Sequence, residues 1–385
     1  MTNERHASGS EPTTPSTTLL KTQTSPSRVV LTSEQEYAVH KLIQSKERVR
    51  TLGGFAGTGK TTVIRELVDR LPGCAVCAYT GKAADVLRRK GIRASTIHSL
   101  IYRPVKDEYD CVTFELVLPE LFCASNIIVD EASMVGRTIY DDLLTFGVPL
   151  IFVGDHGQLE PVGDTGFNLM EKPDVVLETV HRNAGPIARF AESLRLGQSA
   201  DGAGLSQYGP GREGVDEDGV HVVTFDTIRD LDINQTWQLI CAFNRTRLSL
   251  NEMVRDHIGM PAGIPEAGDR VICLQNTRTY SLFNGMQGVI EEIDRSRRML
   301  TFSSDQGVRV RVPYNPRAFG SETKPEWSPD VVPFDWAYCV TCHKAQGDEF
   351  DNVCVIEQRC GAWDHRRWAY TAASRAKRKL VWVVG

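Results

Sequence analysis

The stretch Gly53-Gly54-Phe55-Ala56-Gly57-Thr58-Gly59-Lys60-Thr61-Thr62 constrains this chain more than any other. From Gly54 to Thr61 it reads G-x-x-x-x-G-K-[ST], after the apolar run "VRTLGG" and before the helical pattern "TTVIRELVDRL". A strand that feeds a glycine-rich loop and then a helix brings main-chain N–H groups together on phosphate oxygens, and the helix N-terminus adds favourable charge. Lys60 is expected to reach the β- and γ-phosphates and Thr61 to offer its hydroxyl to Mg²⁺. Gly54, Ala56, Gly57, Thr58, Gly59, Lys60, Thr61 and Thr62 are therefore candidate nucleotide-binding residues.

Such a loop belongs to an α/β fold, and the rest of the chain agrees. "CAVCAYT", "NIIVDE" and "PLIFVGD" are short apolar runs separated by helical stretches, the texture of a parallel sheet buried on both faces. "HVVTF" and "WQLICAF" resume the pattern, and "WAYCVT", "NVCVIE" and "KLVWVV" close it. Between them, "GDRVICL", "GMQGVIEEID", "RMLTFSS" and "VRVRVP" lack intervening helices and predict a small inserted β-barrel. The formal net charge of -5 gives no global positive field. Basic clusters at 88–93 and 366–379 could meet phosphates, or could be solvated helix faces. No apolar run is long enough for a membrane helix and no signal-peptide pattern opens the chain, so a cytoplasmic protein (in a host cytoplasm if phage-encoded) is expected. In that setting the 10 cysteines read as small buried hydrophobes.

Two further motifs carry chemistry. "IIVDEASMV" ends a strand in Asp130 and Glu131. After a phosphate loop, Asp130 is expected to hold Mg²⁺ through water and Glu131 to orient or deprotonate the attacking water. This pair points to hydrolysis, since a nucleotide switch or a kinase does not need the second carboxylate in that role. "VGDHGQLEPVG" follows the next strand and brings Gln158 toward the γ-phosphate; a plain polar loop is the competing reading.

In this order the motifs resemble superfamily 1 helicases, and within them the RecD/Dda group, the 5′→3′ branch. The resemblance runs from Leu31 to the end of the chain. It implies two RecA-like P-loop NTPase domains, a small inserted SH3-like β-barrel and a β-hairpin wedge in the first domain. It implies ATP and Mg²⁺, with Gln35 of "LTSEQEYAV" at the adenine. Arg182 of "LETVHRN" and Arg375 of "YTAASRAKRKL" would lie near the γ-phosphate, where an arginine can contribute roughly 10³–10⁵ in rate. Strand contacts are implied for Thr80 and Lys82, Thr96 and His98, and Thr341, His343 and Lys344. The wedge would lie in "RPVKDEYDCVTFEL", with Tyr109 or Phe114 facing the bases; packing of those aromatics against the first domain is an equal alternative. Core packing for His98, a solvated helix face for Lys82 and structural ion pairs for both arginines are the alternatives. Glu160, where relatives often have proline, and His181, where an aromatic is common, depart from the family pattern.

The domain reading is a disordered Ser/Thr/Pro-rich tail over 1–27 and a first domain over 28–170 with a hairpin insertion at about 101–122. A second domain takes 171–265 and 336–385, with the barrel at 266–335 inserted. The implied activity is 5′→3′ translocation on single-stranded DNA and duplex unwinding, coupled to ATP hydrolysis. A monomer would act on single strands and duplex forks, with a single-strand-binding protein or replication proteins as further partners and no membrane. An RNA helicase of superfamily 1, and a translocase that does not separate strands, are the rival readings. A haem or zinc protein built on Cys339, Cys342 and His343 of "CVTCH" is a third, because C-x-x-C-H also attaches haem.

Overall fold

The computed structural model describes residues 30–106, 112–161, 167–179, 185–200, 218–226, 236–277, 279–323, 328, 330–361 and 363–384. The tail predicted over 1–27 lies outside them.

The N-terminal half runs α1 (Ser33–Gln44), β1 (Val49–Gly54), α2 (Lys60–Arg70), β2 (Ala75–Ala78), α3 (Gly81–Arg89), β3 (Ala94–Thr96) and α4 (Ile97–Ile101). An antiparallel hairpin, β4 (Tyr102–Lys106) and β5 (Val112–Leu116), follows. The half continues through β6 (Ile127–Asp130), α5 (Arg137–Thr145), β7 (Leu150–Gly154) and β8 (Val175–Leu177). Six strands form one parallel sheet in the order β3-β2-β6-β7-β1-β8. Leu52, Ile128 and Val153 pack on α1, α2 and α3, while Val129 and Phe152 face α4 and α5. Burial on both faces is why these strands read as unbroken apolar runs. The sheet extends past residue 170, where the sequence reading ends the first domain. Just before β8, the Asp174 carboxylate accepts from Thr51 N and Thr51 Oγ1, each at 2.8 Å, and so fixes β8 on the free edge of β1.

The C-terminal half begins with α6 (Pro186–Arg195), β9 (Gly219–Thr224), β10 (Trp237–Cys241) and α7 (Asn244–His257). Next come β11 (Arg270–Cys273), β12 (Gln287–Asp294), β13 (Met299–Ser304), β14 (Arg309–Pro313) and β15 (Phe334–Trp336). The chain closes with β16 (Cys339–Thr341), β17 (Phe350–Ile356), α8 (His365–Ala373) and β18 (Ala376–Val384). A second parallel sheet has the order β16-β10-β17-β18-β9. Strands β14-β13-β12-β11-β15 make a separate antiparallel sheet in the region where the sequence predicts an inserted barrel.

One buried staple ties α7 to that antiparallel sheet. Arg255 donates to the Asp269 carboxylate at 2.8 and 3.0 Å and to the carbonyls of Pro261 and Ile264, while its guanidinium lies 4.2 Å from the Trp336 ring centre. Among the described residues, no helix is long and apolar enough to cross a membrane.

Candidate nucleotide and nucleic-acid site

Strands β6, β7 and β1 are neighbours, so their carboxyl ends open into one crevice, where ligands of open α/β sheets bind. β1 delivers the phosphate loop there. Gly57 and Gly59 both take φ of 86°, a left-handed conformation that glycine adopts without strain. A side chain on Gly54 would stand 2.6 Å from the Thr58 hydroxyl, so the loop is also closed to a Cβ at that position. Thr58 is buried and bonds the Phe55 carbonyl, and Thr62 N bonds Gly59 O at the start of α2. The Lys60 ammonium bonds Gly54 O at 2.6 Å and Phe55 O at 3.0 Å, which holds it over the loop. Gln35 accepts from Thr32 N and donates to Thr58 O at 3.2 Å, so its carboxamide braces the loop from beneath.

At the end of β6, Glu131 has a φ of 55° and its N–H bonds Asp130 Oδ1 at 3.0 Å. Burial, then the neighbouring Glu131, pushes the Asp130 carboxyl up to about 7, against the pull of Lys60 and Lys90. Thr61 Oγ1 accepts from Lys90 Nζ at 3.3 Å. Lys90 thus acts on both the Thr61 hydroxyl and the buried Asp130 carboxylate, and such oxygens are donors that a hard divalent cation takes.

The loop after β7 is organised by a residue that the sequence reading passed over. Asp155 is fully buried and accepts from Gly157 N at 3.0 Å, Gln158 Nε2 at 3.1 Å and the Tyr370 hydroxyl at 2.9 Å. The available signal was an acidic residue straight after a wholly apolar strand, in "GDHGQ". Gln158 Oε1 is buried with no hydrogen-bond partner among the described residues, so the crevice contains an acceptor that remains unsatisfied.

The C-terminal half closes over this crevice. The Tyr370 hydroxyl accepts from Ala56 N at 3.1 Å while donating to Asp155, and so joins the phosphate loop to the loop after β7. Arg367 bonds the carbonyls of His156 and Gln158, each at 3.1 Å, and lies 3.8 Å from Glu160. Leu159 N donates to Thr371 Oγ1 at 3.0 Å. Glu160 also accepts from Asn168 Nδ2 at 3.1 Å. The buried Arg375 guanidinium bonds Thr371 O at 2.9 Å, Asp348 O at 3.1 Å and Ser374 Oγ at 2.8 Å. In this conformation it is held by its own half of the chain. Arg195, which the sequence reading did not single out, lies 4.5 Å from the Phe55 ring centre instead. A cleft of about 1210 Å³ opens here, lined by Phe55, Ala56, His156, Arg195, Tyr370 and Arg378. Arg182 lies outside the described residues.

The residues read as strand contacts sit on the same carboxyl edges. Thr80 and Thr96 end the segments after β2 and along β3, and their hydroxyls cap α3 and α4 by accepting from Ala83 N and Ser99 N, each at 3.1 Å. His98 is exposed, its ring 5.4 Å from that of Tyr102. Lys82 reaches across to the other half and meets Asp348 at 2.6 Å. Thr341 ends β16, and Lys344 Nζ donates to Asn284 Oδ1 at 2.9 Å. The half-buried His343 ring, its pKa lowered by burial, stands edge-on 6.1 Å from Trp363. Trp363 in turn lies 5.7 Å from Phe243, which is 37% exposed. Phe243 and Trp363 also escaped the sequence reading. They follow β10 and β17, and meet only because those strands are neighbours. Tyr109 lies outside the described residues, and of Phe114 only the main chain, in β5, is described.

Cys339 and Cys342 do not face a common point. Cys339 packs in the core toward α7 and the antiparallel sheet, 3.6 Å from Cys241 Sγ. Cys342 packs on the opposite side with α6 and α8, its thiol 3.7 Å from Trp368 O. Burial raises both thiols, Cys342 to about 12.

With this geometry in view, known proteins are informative. Residues 30–210 match the AAA domain family, and residues 336–383 match the UvrD-like helicase C-terminal domain family. RecBCD enzyme subunit RecD of Mycolicibacterium smegmatis is 27% identical over 91% of this chain and 71% of its own length. The ATP-dependent DNA helicase dda of Enterobacteria phage T4 is 32% identical over 42% of this chain and 40% of its own length. The chain spans only 30% of the length of the conjugal transfer protein TraA of Agrobacterium fabrum, at 26% identity. Pif1 helicase from Bacteroides, solved with ADP-AlF3 and single-stranded DNA, superimposes with a TM-score of 0.62 at 22% identity. That likeness covers 92% of each chain and concerns the fold, a mixed α/β architecture of two RecA-like domains built on parallel sheets.

Proposed function

We propose that this chain, a relative of the superfamily 1 helicases of the RecD and Dda group, is an ATP-driven helicase that moves 5′→3′ along single-stranded DNA and separates duplex ahead of it. The observation that carries this reading is the crevice at the carboxyl ends of β6, β7 and β1. Lys60, Asp130, Glu131 and Gln158 stand at the ends of these neighbouring strands, and Tyr370, Arg367 and Thr371 of α8 bond the phosphate loop and the loop after β7 from the other half. A site shared between two halves of a chain lets binding and hydrolysis change their relation, which is what a translocating motor requires.

ATP would enter with its phosphates on the loop Gly54 to Thr62, under Lys60. Thr61 and Asp130 would hold Mg²⁺, which supplies charge neutralisation on the phosphates. Glu131 orients or deprotonates the attacking water, and the unsatisfied Gln158 Oε1 can accept from that water. Arg375, together with Arg182, would meet the γ-phosphate, and for that Arg375 must leave the carbonyls that hold it here. Gln35 would face adenine with the carboxamide N–H and lone pair that its bonds to Thr58 and Thr32 leave over.

The strand would lie across the carboxyl edges of both sheets, with Thr80, Lys82, Thr96 and His98 on one side and Thr341, His343 and Lys344 on the other. Phe243 and Trp363 extend His343 into an aromatic surface on which bases can stack, worth roughly 1–3 kcal/mol per base. The hairpin β4–β5 serves as the wedge, and the antiparallel sheet corresponds to the SH3-like barrel. The domains would be 28 to about 178, and then the remainder to 385 with the antiparallel sheet inserted. The chain would act as a cytoplasmic monomer on single strands and forks, alongside a single-strand-binding protein or replication proteins.

The test is unwinding of a DNA duplex carrying either a 5′ or a 3′ single-stranded tail. Unwinding of the 5′-tailed substrate is expected. Preference for the 3′ tail overturns the polarity. Strand-stimulated ATP hydrolysis with neither duplex opened favours a translocase, and stimulation by RNA over DNA favours an RNA helicase.

A further inference from the structure

Lys82 is expected on the nucleic acid, yet here its ammonium is committed elsewhere. It pairs with Asp348 Oδ1 at 2.6 Å and lies 5.6 Å from the Phe350 ring centre. The same two residues hold Arg375. The Asp348 carbonyl accepts from Arg375 Nη1 at 3.1 Å, and Phe350 N donates to Arg375 O at 2.8 Å. Residues 348–350 are therefore a three-residue strap with Lys82 of one half on one side and Arg375 of the other half on the other.

The joint is built to exchange partners. Asp348 is 3% exposed, but its second carboxylate oxygen, Oδ2, has no hydrogen-bond partner among the described residues. A buried carboxylate satisfied on one oxygen alone gains less than its desolvation demands. Lys82 keeps 18% of its side chain exposed at the start of α3, where a backbone phosphate could compete for it.

We propose that Asp348 is a positioning residue that couples the strand to hydrolysis. Without a strand, the Lys82–Asp348 pair holds the strap, and the strap keeps Arg375 on its own main chain. A strand phosphate that takes Lys82 releases the strap, and Arg375 becomes available to the nucleotide. This rests on the helicase reading above.

The test measures ATP turnover of the full chain with and without oligo(dT), for wild type, Asp348→Asn, Asp348→Glu and Lys82→Met. Asp348→Asn is expected to raise the strand-free rate and so lower the stimulation ratio about 5-fold or more, the lower end of ordinary coupling strengths. Asp348→Glu should restore the low strand-free rate, and adding Arg375→Ala to Asp348→Asn should abolish the gain. Lys82→Met, which breaks the pair from the more exposed side, should raise the strand-free rate in the same way, and it decides the matter alone if Asp348→Asn does not fold. Wild-type strand-free rates in both single variants overturn the proposal, whatever happens to the ratio, because Lys82→Met also removes a strand contact. Absence of strand stimulation in the wild type would instead defeat the helicase reading.

Discussion

Two aspartates of the C-terminal half face a cation in low-dielectric surroundings, and they are finished differently. Asp269 is fully buried, and both its oxygens are used, by Arg255 twice, by Glu266 N at 2.8 Å and by the Tyr338 hydroxyl at 3.0 Å. Asp348 has Lys82 on one oxygen and, among the described residues, no hydrogen-bond partner on the other, and burial pushes its carboxyl up to about 6 despite that lysine. The first pair lies within one half of the chain and the second joins the two halves. A saturated network resists change because any loss strands a buried charge; a half-satisfied one can trade its partner at small cost.

Substitutions at the two sites should therefore act in opposite directions. Arg255→Met leaves Asp269 buried without its guanidinium and should destabilise the C-terminal half by roughly 3–5 kcal/mol, read by chemical denaturation. A smaller loss would mean that the staple is replaceable. Asp130→Asn should do the reverse in Mg²⁺-free buffer at pH 8. The native carboxyl holds its proton more tightly than an unfolded one, so the linked stability is complete below the ordinary carboxylate range and fades as pH rises toward about 7. The variant should gain roughly 1–3 kcal/mol at pH 8, with the gain vanishing near pH 4, and should lose ATP hydrolysis. Asp348→Asn follows the same sign over a narrower window that ends at about 6, and should gain roughly 1–2 kcal/mol at pH 8. Destabilisation there would put Asp348 in the same class as Asp269. Arg137→Ala, which breaks an exposed pair with Asp141 on α5, should leave the midpoint unchanged and serves as the control.

What could be read from the sequence follows from how local each signal is. The phosphate loop, Asp130-Glu131 and the strands around them are contiguous patterns, and "VRTLGG" is β1 residue for residue. Strands β3, β8 and β15 are three residues each, too short to show periodicity, and are defined by the neighbours they pair with. The Arg255–Asp269 staple joins charges 14 positions apart, and no local pattern marks either as buried. Phe243 and Trp363 belong to different segments, and only the strand order β16-β10-β17 brings them beside His343. The C-x-x-C-H pattern misleads for the converse reason. Its residues are close in the chain, yet the two sulfurs pack on opposite sides of a sheet.

The central claim, that nucleotide hydrolysis at this crevice is driven by a bound strand, meets its most direct test in Lys60→Ala. ATP hydrolysis by the wild type and the variant is measured with and without single-stranded DNA. Strand-stimulated hydrolysis in the wild type and none in Lys60→Ala is the predicted result. A variant that keeps its strand-stimulated hydrolysis would contradict the account.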